Sequence, residues 1–168
     1  MKNDILLKVL SLAFFAKRNG LKIAVAESCT SGLLASLLSS LAGSSTWFEF
    51  GVICYSNLSK KALLSVDLNS VKFHGSVSKI VASQMLAGLE RIPPKKKNNF
   101  YLFSSITGIA GPTGSSKKKP RGLVWFGFQS YGERTCKNSI FSGSRVQIRN
   151  LAVRTALEGL ISASARKK

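Results

Sequence analysis

The sequence predicts a three-layer α/β domain, a mixed and mostly parallel β-sheet with helices on both faces. Three observations point there. Short runs rich in Ile, Val, Phe and Tyr alternate with segments of helical period through the first half of the chain. Two strand-like runs then follow each other late, which fits an antiparallel pair on an otherwise parallel sheet. The third is size: 168 residues, 45% hydrophobic and 9% aromatic, suffice for one core, so residues 1–168 are expected to form a single domain.

The elements follow in order. From Asp4 to Asn19 apolar residues recur at helical spacing, and Gly20 stands where a left-handed C-terminal cap is expected. Lys8 interrupts this apolar run and Lys17 and Arg18 close it, well short of the roughly 20 residues a membrane span requires. An amphipathic helix is expected, not an anchor or a signal peptide, and no membrane partner. Lys22 to Ala26 reads as a short strand that stops at Glu27-Ser28, and a helix from about Thr30 to Leu41, closed by Gly43, follows it. Phe50 to Tyr55 is the next strand, and Asn57 to Leu64 a short helix capped by Ser56 or Asn57. Ser78 caps a helix reaching about Leu89, and a loop spans Lys95 to Asn99. Tyr101 to Ile106 reads as a buried strand ending in the turn-rich Thr107 to Gly114. Leu123 to Gln129 and Arg134 to Phe141 form the late pair, and a helix from about Arg145 to Ser162 leads to a basic tail at 165–168.

Lys and Arg total 25 against 7 for Asp and Glu, a net charge of +18 that attracts anions of every kind. Nucleic acid is therefore a partner to weigh. It is not favoured, because much of the excess sits in three separate runs, Lys95 to Lys97, Lys117 to Lys119 and Arg166 to Lys168, which read as solvated loop tips and a tail. The three cysteines, Cys29, Cys54 and Cys136, are odd in number and widely spaced, so free thiols in a reducing cytoplasm are expected. No His/Cys/Asp/Glu group stands at ligand spacing, so no metal and no cofactor is expected.

Ser28 sits where a buried strand gives way to a helix start, at the end of the sheet where ligands bind in α/β folds. The amides of Cys29, Thr30 and Ser31 would then be free to stabilise an oxyanion, though a serine there can equally be a plain helix cap. A serine nucleophile needs a base, and His74, the one histidine, has no carboxylate near it in sequence. A lysine of lowered pKa can take that role, but composition does not choose among 25 basic residues. Cys29 is an alternative nucleophile whose bland role is a buried thiol.

Six segments in one order carry a family resemblance: Ala26-Glu-Ser-Cys-Thr-Ser-Gly32, Gly43-Ser-Ser-Thr-Trp-Phe-Glu49, Tyr55-Ser-Asn-Leu-Ser-Lys60, His74-Gly-Ser-Val-Ser78, Thr107-Gly-Ile-Ala-Gly-Pro112 and Lys119-Pro120 with Gly122. From about Leu21 to Arg149 the chain resembles the CinA C-terminal / PncC-like nicotinamide mononucleotide deamidase family. The resemblance implies Ser28 as nucleophile and Lys60 as base. It also implies a homodimer that hydrolyses nicotinamide mononucleotide to nicotinate mononucleotide and ammonia, in pyridine nucleotide salvage. Lys60 lies one turn into its helix and can reach back over the sheet edge. Tyr55 and Asn57 are expected to orient the lysine or the substrate, and Glu27, Cys29 and Thr30 to surround the substrate beside the nucleophile. The loop from Thr107 through Gly108 and Gly111 suits a phosphate or ribose, and Arg145 and Arg149 are candidate phosphate clamps.

Three positions depart from the family pattern: Ser31 replaces a glycine and is expected to crowd the oxyanion loop, while Phe50 replaces an arginine and Ser144 an acid. They keep open a catalytically silent family member, as the charge keeps open a basic nucleic-acid or competence-related binding protein.

Overall fold

The computed structural model describes residues 2–93 and 100–165, so the Lys95 to Asn99 loop and the Arg166 to Lys168 run lie outside the described residues. Helix α1 spans Lys2–Arg18 and ends, as its sequence predicts, at a left-handed Gly20. Strand β1 (Leu21–Glu27) leads to α2 (Leu33–Ser39), and a single 3-10 turn at Ser44–Thr46 leads to β2 (Phe48–Ile53). Three helices follow, α3 (Asn57–Leu64), α4 (Leu68–His74) and α5 (Lys79–Leu89). Strands β3 (Phe100–Gly108), β4 (Leu123–Ser130) and β5 (Glu133–Ile140) then precede α6 (Arg145–Ser164).

The sheet runs β2-β1-β3-β4-β5. Strand β1 is parallel to both β2 and β3, whereas β4 is antiparallel to β3 and to β5. Four strands thus share one direction and β4 alone opposes them, the mixed sheet its sequence predicts. Alternation along β1 builds both faces: Leu21, Ile23 and Val25 enter the core under α1, α2 and α6, and Ala24 and Ala26 enter the one under α3, α4 and α5.

Three elements differ from expectation. Strand β2 lies two residues upstream of the predicted Phe50 to Tyr55, because Trp47 already accepts a 2.7 Å hydrogen bond from the Ile23 amide and Tyr55 has left the ladder. Helix α2 begins at Leu33 rather than near Thr30, because Ser31 (φ 49°) and Gly32 (φ 88°) both take left-handed backbone that no α-helix continues through. Helix α4, where no element is expected from sequence, is capped by Asp67, whose carboxylate accepts from the amides of Asn69 and Ser70 at 3.0 Å. No described helix is long and apolar enough to cross a membrane.

Candidate active site

The carboxyl ends of β1, β2 and β3 lie side by side, and each hands the chain to a residue of the site. Cross-strand bonds fix the first of these exits: the Ser28 amide donates to the Ile106 carbonyl at 3.0 Å, and the Cys54 amide to the Glu27 carbonyl at 2.8 Å. Helix α3 starts on a Ser56 cap, whose hydroxyl accepts from the Ser59 amide, and one turn later Lys60 is 2% exposed. Its Nζ lies 3.0 Å from Ser28 Oγ and donates to the Tyr55 carbonyl at 3.0 Å. Two residues 32 apart in sequence thus form a buried pair.

Burial lowers the Lys60 pKa from its ordinary value, since an ammonium removed from water is disfavoured. Anionic Cys54 or Cys29 would oppose that shift. Neither thiol ionises near neutral pH: burial pushes Cys29 up to about 12 and Cys54 up to about 11. A neutral Lys60 amine keeps one N–H on Tyr55 and offers its lone pair to the Ser28 hydroxyl, the protonation state a general base needs. Cys29, with a thiol this reluctant to ionise, has the character of a structural residue and not a nucleophile.

The turn holding Ser28 is shaped by Glu27. Its side chain, 1% exposed, accepts hydrogen bonds from the amides of Gly32 at 3.0 Å, Leu34 at 3.2 Å and Ala35 at 2.7 Å. Gly32 has no side chain with which to cap α2, so Glu27 does so from five residues upstream. Of the two readings open for Ser28 from sequence, the plain helix cap does not hold: α2 has its N-cap at Gly32, and the Ser28 hydroxyl lies against Lys60. The Ser31 amide is also unavailable to an oxyanion, because it donates to the Ser28 carbonyl at 3.2 Å. Nor does Ser31 crowd the site, since its side chain is exposed and turned back on that same carbonyl.

A cleft of about 260 Å³ opens over the pair. Of the residues expected from sequence, Ser28, Cys29, Tyr55, Asn57, Lys60, Thr107, Gly108, Gly111 and Arg145 line it. Glu27, Thr30 and Arg149 do not: Glu27 caps α2, and Arg149 donates to the Thr30 carbonyl at 2.8 Å, two residues past Ser28. Arg145 bridges the mouth, donating to the Gly111 carbonyl at 2.6 Å and to the Tyr55 hydroxyl at 2.9 Å. Among the described residues no carboxylate pairs with this guanidinium. Ser144 and Phe50 have structural roles, the first as cap of α6 in a capping box with Gln147, the second as packing on the core under α3 to α5. Ser76, Val77 and Thr113 also line the cleft and were not among the expected site residues, although Ser76 and Val77 belong to the His74 to Ser78 segment. Among the described residues no cluster of His, Cys, Asp or Glu could hold a metal ion.

Comparison with known proteins agrees with this arrangement at the level of family and fold. Residues 8–164 match the family described as the CinA C-terminal domain. The chain is 43% identical over 156 residues to a CinA-like protein of Syntrophomonas wolfei, covering 93% of itself and 36% of that longer relative. It is 39% identical over 145 residues to the nicotinamide-nucleotide amidohydrolase PncC of Escherichia coli, covering 86% of itself and 85% of that protein. Among solved structures, the competence damage-inducible protein A of Klebsiella pneumoniae superposes with a TM-score of 0.90 at 27% identity, over 98% of this chain and 99% of that one. A competence/damage inducible protein of Agrobacterium tumefaciens gives 0.86 at 35% identity, over 95% of each chain.

Proposed function

This chain belongs to the CinA C-terminal domain family, and from that membership we propose that it hydrolyses the carboxamide of nicotinamide mononucleotide to nicotinate mononucleotide and ammonia. The observation that carries the reading is the buried 3.0 Å contact between Ser28 Oγ and Lys60 Nζ on the floor of the cleft. In the proposed sequence, neutral Lys60 takes the Ser28 proton as Oγ attacks the carboxamide carbon. The C=O π electrons move to oxygen, and in this reading the amides of Cys29 and Thr30, for which no backbone acceptor is found among the described residues, supply the hydrogen bonds to that oxyanion. Protonated Lys60 then gives its proton to the amide nitrogen, the C–N bond breaks, and ammonia leaves behind a Ser28 ester. Water, deprotonated by Lys60, attacks the ester, and the returning proton restores Ser28 and releases the carboxylate.

The substrate's phosphate is assigned in this reading to Arg145 at the mouth, whose guanidinium can bind phosphate bidentately, with Asn57 also lining the cleft. The same reading takes the working form to be a cytoplasmic homodimer serving pyridine nucleotide salvage, with Cys29, Cys54 and Cys136 free. An ammonia-release assay on nicotinamide mononucleotide and related amides tests it. Wild type should turn over this nucleotide, and Ser28→Ala should fall to background while its stability changes by about 1 kcal/mol or less, since Ser28 caps no helix. A folded Ser28→Ala protein as active as wild type would overturn the assignment.

A further inference from the structure

Lys117, Lys118 and Lys119 form one basic run in sequence, but their surroundings differ. Lys117 and Lys118 are exposed, whereas Lys119 is half-buried and turned inward. Its Nζ donates to the Val77 carbonyl at 2.7 Å and to the His74 carbonyl. Its backbone is fixed as well: a reciprocal pair with Ser116 (2.9 and 3.1 Å) closes a tight turn behind it. The chain then passes through Pro120 to Gly122, whose amide donates at 2.7 Å to Ile109, a residue of the cleft loop.

The segment that Lys119 holds runs from the last residue of α4 through the irregular Gly75 to Val77, and all four of its consecutive carbonyls accept from side chains. His74 and Val77 receive Lys119, Gly75 receives the Ser78 hydroxyl at 3.0 Å, and Ser76 receives the Thr107 hydroxyl at 2.8 Å. Gly75 suits this approach: its φ of +71° is a backbone conformation side-chain-bearing residues rarely adopt, and its bare Cα leaves room for the Lys119 ammonium. Ser76 and Val77 form one wall of the cleft, and Ile109 to Gly114 another. Beside the Thr107 hydroxyl, which reaches Ser76 from the end of β3, Lys119 binds the first wall from the segment that follows the second. Burial also lowers its pKa, as expected of an ammonium drawn out of water.

We propose that Lys119 is a positioning residue of the amidase site, an ammonium clamp that holds the Ser76–Val77 wall against the Thr107 to Gly114 loop and so fixes the shape in which the cleft receives its nucleotide. The proposal rests on the amidase reading for its consequence, but the clamp itself can be read without turnover. Lys119 touches neither Ser28 nor Lys60 among the contacts it makes, so its loss leaves the bond-breaking pair in place. The cost falls on the fit of the substrate.

The test compares Lys119→Met with Lys118→Met, which removes the same charge from an exposed neighbour and controls for the long-range field. Two measurements are made on the folded proteins: hydrogen exchange of the 74–78 segment without ligand, and kcat and KM for nicotinamide mononucleotide. Lys119→Met should speed exchange in that segment and raise KM about tenfold with kcat within about twofold, the pattern of lost binding rather than lost chemistry. Lys118→Met should match wild type in both. Unchanged exchange in Lys119→Met overturns the clamp whatever the activity. Faster exchange with unchanged KM, or a fall confined to kcat, overturns its role in receiving substrate. A wild type that releases no ammonia refutes the amidase reading, and the inference then falls if nicotinamide mononucleotide binds Lys119→Met as it binds wild type in calorimetry.

Discussion

At Lys60 two demands conflict. A base must be neutral to accept the Ser28 proton, whereas a lysine is ordinarily charged, and the burial that lowers the Lys60 pKa favours the neutral form by withholding water from its charge. The folded-state pKa is lowered from 10.5, so between the two values the unfolded chain binds more protons than the native one, and stability should rise with pH across that window. Lys60→Met removes the titrating group. It should abolish turnover, and urea unfolding at several pH values should show its stability relative to wild type greatest at low pH and shrinking toward pH 10 and above. A difference that does not vary with pH would mean that Lys60 is not desolvated. If Lys60 is the base proposed, turnover by wild type should likewise rise with pH, and level off below the range where an ordinary lysine titrates, because the deprotonated amine would be the active form.

On the scale of elements, the Ser28 turn depends on a helix that cannot cap itself. Glu27→Gln replaces one of two acceptor oxygens with an N–H donor facing amides, and should cost about 2–3 kcal/mol in denaturant unfolding, with a fall in kcat as the turn loosens. Retention of both stability and kcat would show that α2 does not need this carboxylate. The same turn marks the limit of what the sequence displays. Ser-Cys-Thr-Ser after a strand has the composition of a helix start, and the left-handed backbone of Ser31 and Gly32 that delays α2 depends on a carboxylate several residues upstream. Helix α4 was hidden for a related reason: its seven residues hold too few apolar positions to show a period, and the Asp67 cap is its main local signal. The other helices and the late antiparallel pair could be read in advance because periodicity is local, whereas the Ser28–Lys60 pairing came from the family resemblance, since composition does not choose among 25 basic residues. Lys119 could not be told from Lys117 and Lys118, since only tertiary contact draws it inward.

For the whole molecule, the +18 charge is the dominant long-range term. Described acids are committed to local tasks: Glu27 and Asp67 cap helices, Asp4 and Glu158 pair with Lys8 and Arg154, Glu49 with Lys22, and Glu90 with Arg134. The surplus of cations therefore repels itself and attracts anions at once. Added salt at 0.5 M should raise the unfolding midpoint and lower kcat/KM for a phosphorylated substrate, and it should leave an uncharged nicotinamide analogue nearly unaffected. Equal salt sensitivity for both substrates would separate the basic surface from substrate capture. The most direct test of the Ser28–Lys60 mechanism is ammonia release by Lys60→Arg, which retains the positive charge but offers no usable base. Turnover of nicotinamide mononucleotide should fall by about 10² to 10⁴ with its binding little changed; a Lys60→Arg protein that works at the wild-type rate would contradict the account.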